Sequence, residues 1–127
     1  MSVQENASVT FGDNFCNTAE GKIVCKKNII FGDNVLTSWK TLIMDTDWHS
    51  MQDTQSGEVC PSTEEIIIGS NVWICTRSIV LKGCFIPNGC IVEANTLCAK
   101  KFIEENTVIA GNPADVRKRK VTLYRQY

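Results

Sequence analysis

Histidine is almost missing from this sequence: of 127 residues, His49 alone is a histidine. A zinc centre built on three histidines is therefore excluded. No apolar run approaches the ~18 residues that a membrane-crossing helix needs. Met1 to Thr10 has neither the basic start nor the apolar core of a secretory signal. The expected compartment is the cytoplasm, with no insertion into a membrane. The seven cysteines contain no CxxC pair and their number is odd, so they read as structural thiols rather than as a disulfide frame or a metal site. Acid is missing from the end of the chain. Residues 117–127 hold Arg117, Lys118, Arg119, Lys120 and Arg125 without a carboxylate, whereas residues 1–116 balance at −6. A cationic tail on an acidic body points to a local anionic partner rather than to nucleic-acid binding.

What is present is a beat of six. Every sixth residue from Ile68 is apolar: Ile68, Ile74, Val80, Ile86, Val92, Cys98. Four residues after each of the first five stands a small or β-branched side chain: Val72, Ser78, Cys84, Cys90, Thr96. A helix repeats at 3.6 residues and a strand at 2, so neither holds this register. A period of six with a branched apolar residue in a fixed slot predicts a parallel β-helix, in which each short strand lies on a flat face and the chain then turns a corner. The length suits one domain, and reduced cysteine fits the small inward slot at Cys84 and Cys90.

The same phrase occurs three times, as Phe11-Gly12-Asp13-Asn14-Phe15, Phe31-Gly32-Asp33-Asn34-Val35 and Ile68-Gly69-Ser70-Asn71-Val72. Gly beside Asp or Asn is corner chemistry. Ile23 and Ile29 keep the beat between the first two copies, and Thr37 and Ile43 carry it onward. It then stops. Residues 45–65 have no period and many polar residues, as expected of a loop thrown off the shaft, and such loops often carry function. His49 lies there, flanked by Asp45, Asp47, Trp48 and Asp53. After Cys98 the register slips, is expected to recover at Val108 and Ala110, and closes at Gly111-Asn112-Pro113-Ala114, because Pro cannot donate to a further ladder. Flat lateral faces and open ends favour self-association.

These residues resemble the hexapeptide-repeat acyltransferases, in the branch of sugar, maltose, serine and polysaccharide O-acetyltransferases. The resemblance rests on Ile68-Gly69-Ser70-Asn71-Val72-Trp73-Ile74, Ile79-Val80-Leu81-Lys82-Gly83 and Ala110-Gly111-Asn112-Pro113-Ala114. It also rests on Ser38-Trp39 followed by Met44-Asp45-Thr46-Asp47-Trp48-His49-Ser50, which is similar to the catalytic-histidine loop of that family. It implies an all-β fold, a left-handed parallel β-helix over 9–114 with the excursion at about 45–65, preceded by a polar leader over 1–8 and followed by a basic tail over 115–127. It further implies a homotrimer with acetyl-CoA between neighbouring shafts, a saccharide acceptor and no metal. Trp73, Thr76 and Ala94 would line the coenzyme cleft, and Lys100, Arg117 and Lys118 would face its phosphates. Cys75 and Asn95 stand where relatives have Gly, and Lys40 stands where some carry Asn.

Acetyl transfer from a thioester to a hydroxyl needs a base, an oxyanion donor and two reactants held together. His49 is the candidate base, and Asp47 or Asp45 the candidate carboxylate to orient it; spacing does not choose between them. The sequence thus predicts an O-acetyltransferase acting on a sugar or surface polysaccharide. Two alternatives are an N-acyltransferase on an amino-sugar, since His49 serves either nucleophile, and an inactive trimeric scaffold, which the histidine loop disfavours.

Overall fold

Branched apolar residues every six positions favour short extended segments, and a residue of positive φ ahead of each segment turns the chain. A computed structural model describes residues 1–124 in this arrangement; residues 125–127, with Arg125 of the basic tail, lie outside the described residues. Asn71, Arg77, Gly83, Gly89 and Asn95 all have positive φ, and each directly precedes a member of the small inward column. The bends therefore recur with the same period as the core.

A short strand, β1 (Ser2–Val3), leads in. The first coil is β2 (Ser8–Phe11), β3 (Cys16–Asn17) and β4 (Lys22–Cys25), and the second is β5 (Asn28–Phe31), β6 (Leu36–Thr37) and β7 (Leu42–Met44). A hairpin of β8 (Met51–Gln52) and β9 (Val59–Cys60) stands off the shaft. The third coil is β10 (Ile66–Ile68), β11 (Trp73–Ile74) and β12 (Ile79–Leu81), and the fourth is β13 (Phe85–Ile86), β14 (Ile91–Val92) and β15 (Leu97–Cys98). Last come β16 (Thr107–Gly111) and β17 (Ala114–Arg119). The first face holds β2, β5, β10 and β13, the second β3, β6, β11, β14 and β16, and the third β1, β4, β7, β12 and β15. The chain is a left-handed parallel β-helix of about five coils.

Strand pairing keeps one register on every face. Phe31 lies between Phe11 and Ile68, Ile74 between Thr37 and Val92, and Val80 between Ile43 and Cys98. Both columns read from the sequence are buried throughout. Thr37, an odd choice for a core slot, is buried between Asn17 and Ile74 in that register. At the N-terminal end the stack finishes in an aromatic cluster, Phe11 lying parallel to Phe31 with Phe15 tilted against both.

Three local outcomes go beyond the periodicity. Residues 1–8 contribute β1, which pairs with Val24 and Cys25 on the third face. After Cys98 the inward slots are taken by Phe102 and Ile109, not by Val108 and Ala110 as the recovered beat suggested. The Phe102 N–H donates to the Phe85 carbonyl at 2.9 Å, and Ile109 sits opposite Val92. The step from Cys98 to Phe102 is four residues instead of six and that from Phe102 to Ile109 is seven, so this coil is one residue short. Beyond Gly111 the chain reverses, and β17 runs antiparallel along β16. Among the described residues no helix is long and apolar enough to cross a membrane.

One member of the inward column is imperfect. The Thr96 hydroxyl is buried without a hydrogen-bond partner, whereas Ser78, one coil earlier, donates to the Glu93 carbonyl at 2.7 Å. An unmatched buried hydroxyl costs about 1–3 kcal/mol. Thr96→Val, nearly the same in shape, is expected to raise the melting temperature, and Ser78→Val to lower it by exposing the Glu93 carbonyl to an apolar neighbour. Thermal unfolding of the two variants checks the contrast.

Candidate active site

The aperiodic segment leaves the shaft at the corner between the third and first faces, after β7, and returns at β10. Its root is built on Asp45. That side chain is fully buried, and its carboxylate accepts the backbone N–H groups of Lys26 at 2.7 Å and of Lys27 and Asn28 at 2.8 Å each. Three successive N–H groups form an anion-holding concavity, so the carboxylate replaces the corner contacts that the excursion interrupts. Cys25 donates its thiol to the same carboxylate at 3.5 Å; burial, and then the adjacent Asp45 charge, push this thiol up to about 11. Outgoing and returning chains are also tied to each other: Glu64 N–H reaches the Asp45 carbonyl at 3.1 Å, and Thr63 Oγ1 reaches buried Thr46 Oγ1 at 2.9 Å.

Asp47 lies further out. Its backbone N–H donates to the Ser62 carbonyl at 2.8 Å, and its carboxylate meets Lys82 Nζ at 2.9 Å. The same ammonium donates to the Pro61 carbonyl at 2.7 Å, so Lys82 pins both legs of the loop to the third coil. Trp48 follows at positive φ, its N–H held by Thr46 Oγ1 and Lys26 Nζ standing 5.5 Å from its ring. His49 comes next, just before the hairpin. Its ring is exposed and makes no hydrogen bond or ion pair among the described residues. The hairpin tip is closed by the Asp53 carboxylate, whose bonds from Ser56 N–H and Gln55 N–H hold its pKa below the ordinary range.

The two carboxylates read as partners for His49 are thus engaged elsewhere within this chain. Asp45 is spent on the Lys26–Asn28 backbone, and Asp47 on Lys82. The loop gathers all three residues, but it does not bond either acid to the imidazole.

The other predicted residues fall on different parts of the shaft. Trp73 is half-buried on the outside of the second face, its indole N–H donating to Ser38 Oγ at 3.2 Å. Thr76 and Ala94 turn the next corner in consecutive coils, between the second and third faces. Because Ile74 pairs with Val92 in strict register, Thr76 and Ala94 belong to one row running along the shaft. Trp39 is the member of that row in the second coil: its carbonyl accepts Thr76 Oγ1 at 2.7 Å and Arg77 N–H at 2.9 Å. Lys100 is exposed at the next corner, 3.7 Å from Asp115 and 5.2 Å from the ring of Phe102. Arg117 donates to the Ala110 carbonyl at 3.4 Å, and Lys118 is exposed beside it on β17. Asn95, in place of a glycine, has φ +57°, a conformation that Asn tolerates. Cys75 is half-buried; its thiol is pushed up to about 11 by burial and then by Glu93.

Sequence reasoning gave no role to Lys82 or to Trp39. Both stood inside quoted motifs, but Lys82 matters only because the fold sets it under the loop, and Trp39 because the register sets it beside Thr76.

The comparisons bear on this geometry. No protein-family profile matches the chain. WbbJ of Escherichia coli strain K12, named for O-acetyl transfer in lipopolysaccharide biosynthesis, is 31% identical over 119 residues, which is 87% of this chain and 60% of that protein. The crystal structure of NeuO, a polysialic-acid-specific acetyltransferase, superposes with a TM-score of 0.89 at 24% identity, over 96% of this chain and 52% of that one. In sequence the chain is similar to WbbJ, and in fold to the solved hexapeptide-repeat acetyltransferases. A hexapeptide-repeat acetyltransferase of Vibrio cholerae O1 biovar eltor, solved with acetyl coenzyme A, shares the fold at a TM-score of 0.59 and 20% identity, over 87% of this chain and 71% of that one. This chain spans little more than half the length of the first two relatives.

Two outcomes test the geometry. Asp45→Ala leaves three backbone donors without their acceptor and is expected to destabilise the fold by about 3 kcal/mol, lowering the melting temperature by roughly 10 °C. Alkylation at pH 8 should mark exposed Cys16 and Cys60 rapidly. Cys75, at about 11, is only about one part in a thousand thiolate there and should react slowly. Cys25, Cys84, Cys90 and Cys98, all buried, should react only after unfolding. Peptide mass spectrometry reads each site.

Proposed function

We propose that this protein is an acetyl-CoA-dependent O-acetyltransferase acting on a hydroxyl of a sugar or surface polysaccharide, with His49 as general base. The observation that carries the reading is the division of labour along the shaft. An exposed imidazole, free of internal partners, is held out from the corner between the third and first faces on a loop fixed by Asp45 and Lys82. The Trp73, Thr76 and Ala94 surface lies on the second face and the corner after it. A site that draws on two different corners is completed when a second shaft lies alongside. This supports a homotrimer, which we place in the cytoplasm, with coenzyme in each cleft and the histidine arriving from the neighbour.

In this reading the pantetheine runs along the Trp73–Thr76–Ala94 side, towards Lys100, Arg117 and Lys118, whose charges suit phosphate. His49 accepts the proton of the acceptor hydroxyl as its oxygen attacks the thioester carbonyl. The resulting oxyanion is stabilised by backbone N–H groups lining the cleft. Collapse expels the coenzyme thiolate, which takes the proton back from the imidazolium. Asp45 and Asp47 act as positioning residues, the first at the loop's root and the second through Lys82.

General-base assistance is worth about 10²–10⁴-fold. His49→Ala is expected to lower turnover by that factor while KM for acetyl-CoA stays unchanged, measured as thiol release with a panel of sugars. Near-normal turnover in the variant would sink the assignment.

A further inference from the structure

A histidine base is commonly oriented by a carboxylate on its second ring nitrogen, and the two acids that flank His49 are engaged. Asp45 is held by the backbone of Lys26, Lys27 and Asn28, and Asp47 by Lys82. None of Asp53, Glu58, Glu64 and Glu65 bonds to the ring among the described residues. The surface assigned to the coenzyme, by contrast, carries a carboxylate that nothing in the chain uses. In strict register Thr18, Ser38, Cys75 and Glu93 form one row at the end of the second face, beside the row of Trp39, Thr76 and Ala94. The turning row that follows is Glu20, Lys40, Arg77 and Asn95, all at positive φ. Glu20 meets Lys40 at 3.9 Å, and Asp115 meets Lys100 at 3.7 Å. The exposed Glu93 carboxylate makes no hydrogen bond or ion pair among the described residues. Its backbone is fully used: the N–H donates to the Ile109 carbonyl at 2.9 Å, and the carbonyl accepts the Ser78 hydroxyl at 2.7 Å. A fixed coil therefore presents an unspent acid. In its row the neighbours are Ala110 and Cys75, whose thiol stays neutral because burial, and then Glu93, push it up to about 11. The charged groups on the adjoining elements are Arg77 and, bonded to the Ala110 carbonyl, Arg117.

We propose that Glu93 orients His49 of the neighbouring shaft, accepting the N–H of the ring nitrogen that does not face the acceptor. The inference rests on the acetyltransferase reading, which it deepens by supplying the acid that the base lacks in its own chain. Heights along the shaft agree. In a cyclic trimer whose axis runs along the shafts, equivalent coils lie level. The excursion leaves the second coil and returns to the third, and Lys82 ties both of its legs to the third. Glu93 belongs to the fourth. The two groups are thus separated along the shaft by one or two strand spacings of about 5 Å, which a loop side chain and a glutamate close between them. The imidazolium formed as the hydroxyl proton is taken then faces a carboxylate instead of water. Glu93 stays ionised throughout, and the proton leaves the imidazolium for the coenzyme thiolate. It touches neither acceptor nor thioester and is a positioning residue.

Because His49 is the sole histidine, proton NMR follows its titration without ambiguity and without an acceptor. A facing carboxylate favours the imidazolium, so in Glu93→Gln saturated with coenzyme A the ring should titrate about one pH unit lower than in the wild type. Glu93→Asp keeps the charge and should keep the titration near its wild-type position. Neither change touches a bond within the chain, so melting temperatures should not move. Thiol release with acetyl-CoA and a panel of sugars gives the second reading. Glu93→Gln should lower turnover roughly tenfold to a hundredfold, less than the loss of a buried triad acid, with KM for acetyl-CoA unchanged. Trimers mixed from equal amounts of His49→Ala and Glu93→Gln chains keep an intact pair at about one interface in four. They should regain about a quarter of wild-type turnover, well above either parent. An unchanged His49 titration in Glu93→Gln, or mixed trimers no more active than the mean of their parents, would overturn the proposal. A raised KM for acetyl-CoA with an unchanged titration would assign Glu93 to the coenzyme and overturn it as well. A lowered titration beside near-normal turnover in His49→Ala would uphold the pairing and reject His49 as the base.

Discussion

Strict register between successive coils is the constraint on which everything else rests. Each inward side chain stacks on its equivalent in the next coil, as Ile74 does between Thr37 and Val92, so the outward residues of one position must also fall into rows. That is why Trp39, Thr76 and Ala94, far apart in sequence, share one corner, and why Glu20, Lys40 and Arg77 share it too. A helix or an open sheet would scatter these residues. In a shaft of equal coils, a functional surface is assembled by one residue per coil.

The constraint also explains the loop. Leaving a parallel ladder for some twenty residues exposes backbone groups at the point of departure, and buried backbone donors must find acceptors. Asp45 supplies one carboxylate to three of them. With the exit sealed, Lys82 can fix both legs from the coil below, and His49 can be presented with its ring unoccupied. The acid nearest the shaft therefore serves architecture, and the imidazole is left without an internal partner among the described residues.

Much of the fold was legible because it is periodic. The column from Ile68 to Cys98 and the small column beside it mark the core residue by residue, and the break at 45 marks the excursion. What escaped was whatever depends on contact between distant segments. Phe102 and Ile109 occupy the last inward slots although they break the beat, because a corner two residues shorter is only partly offset by a side one residue longer. The first residues look polar, yet Ser2 and Val3 find backbone partners on β4. Of the site, His49 and its loop stood out by isolation and motif. The employment of Asp45 did not, since the donors to its carboxylate are backbone N–H groups near residue 27 that carry no side-chain signature.

Sealing the root so close to the shaft has an evolutionary corollary. Glu64 already touches Asp45 where the excursion begins and ends, so whatever hangs beyond that knot can lengthen, shrink or be exchanged with little cost to the trunk, because the entropy of closing a loop grows only slowly with its length. Descendants of such a molecule can acquire new tastes by rewriting a pendant while inheriting the trunk intact.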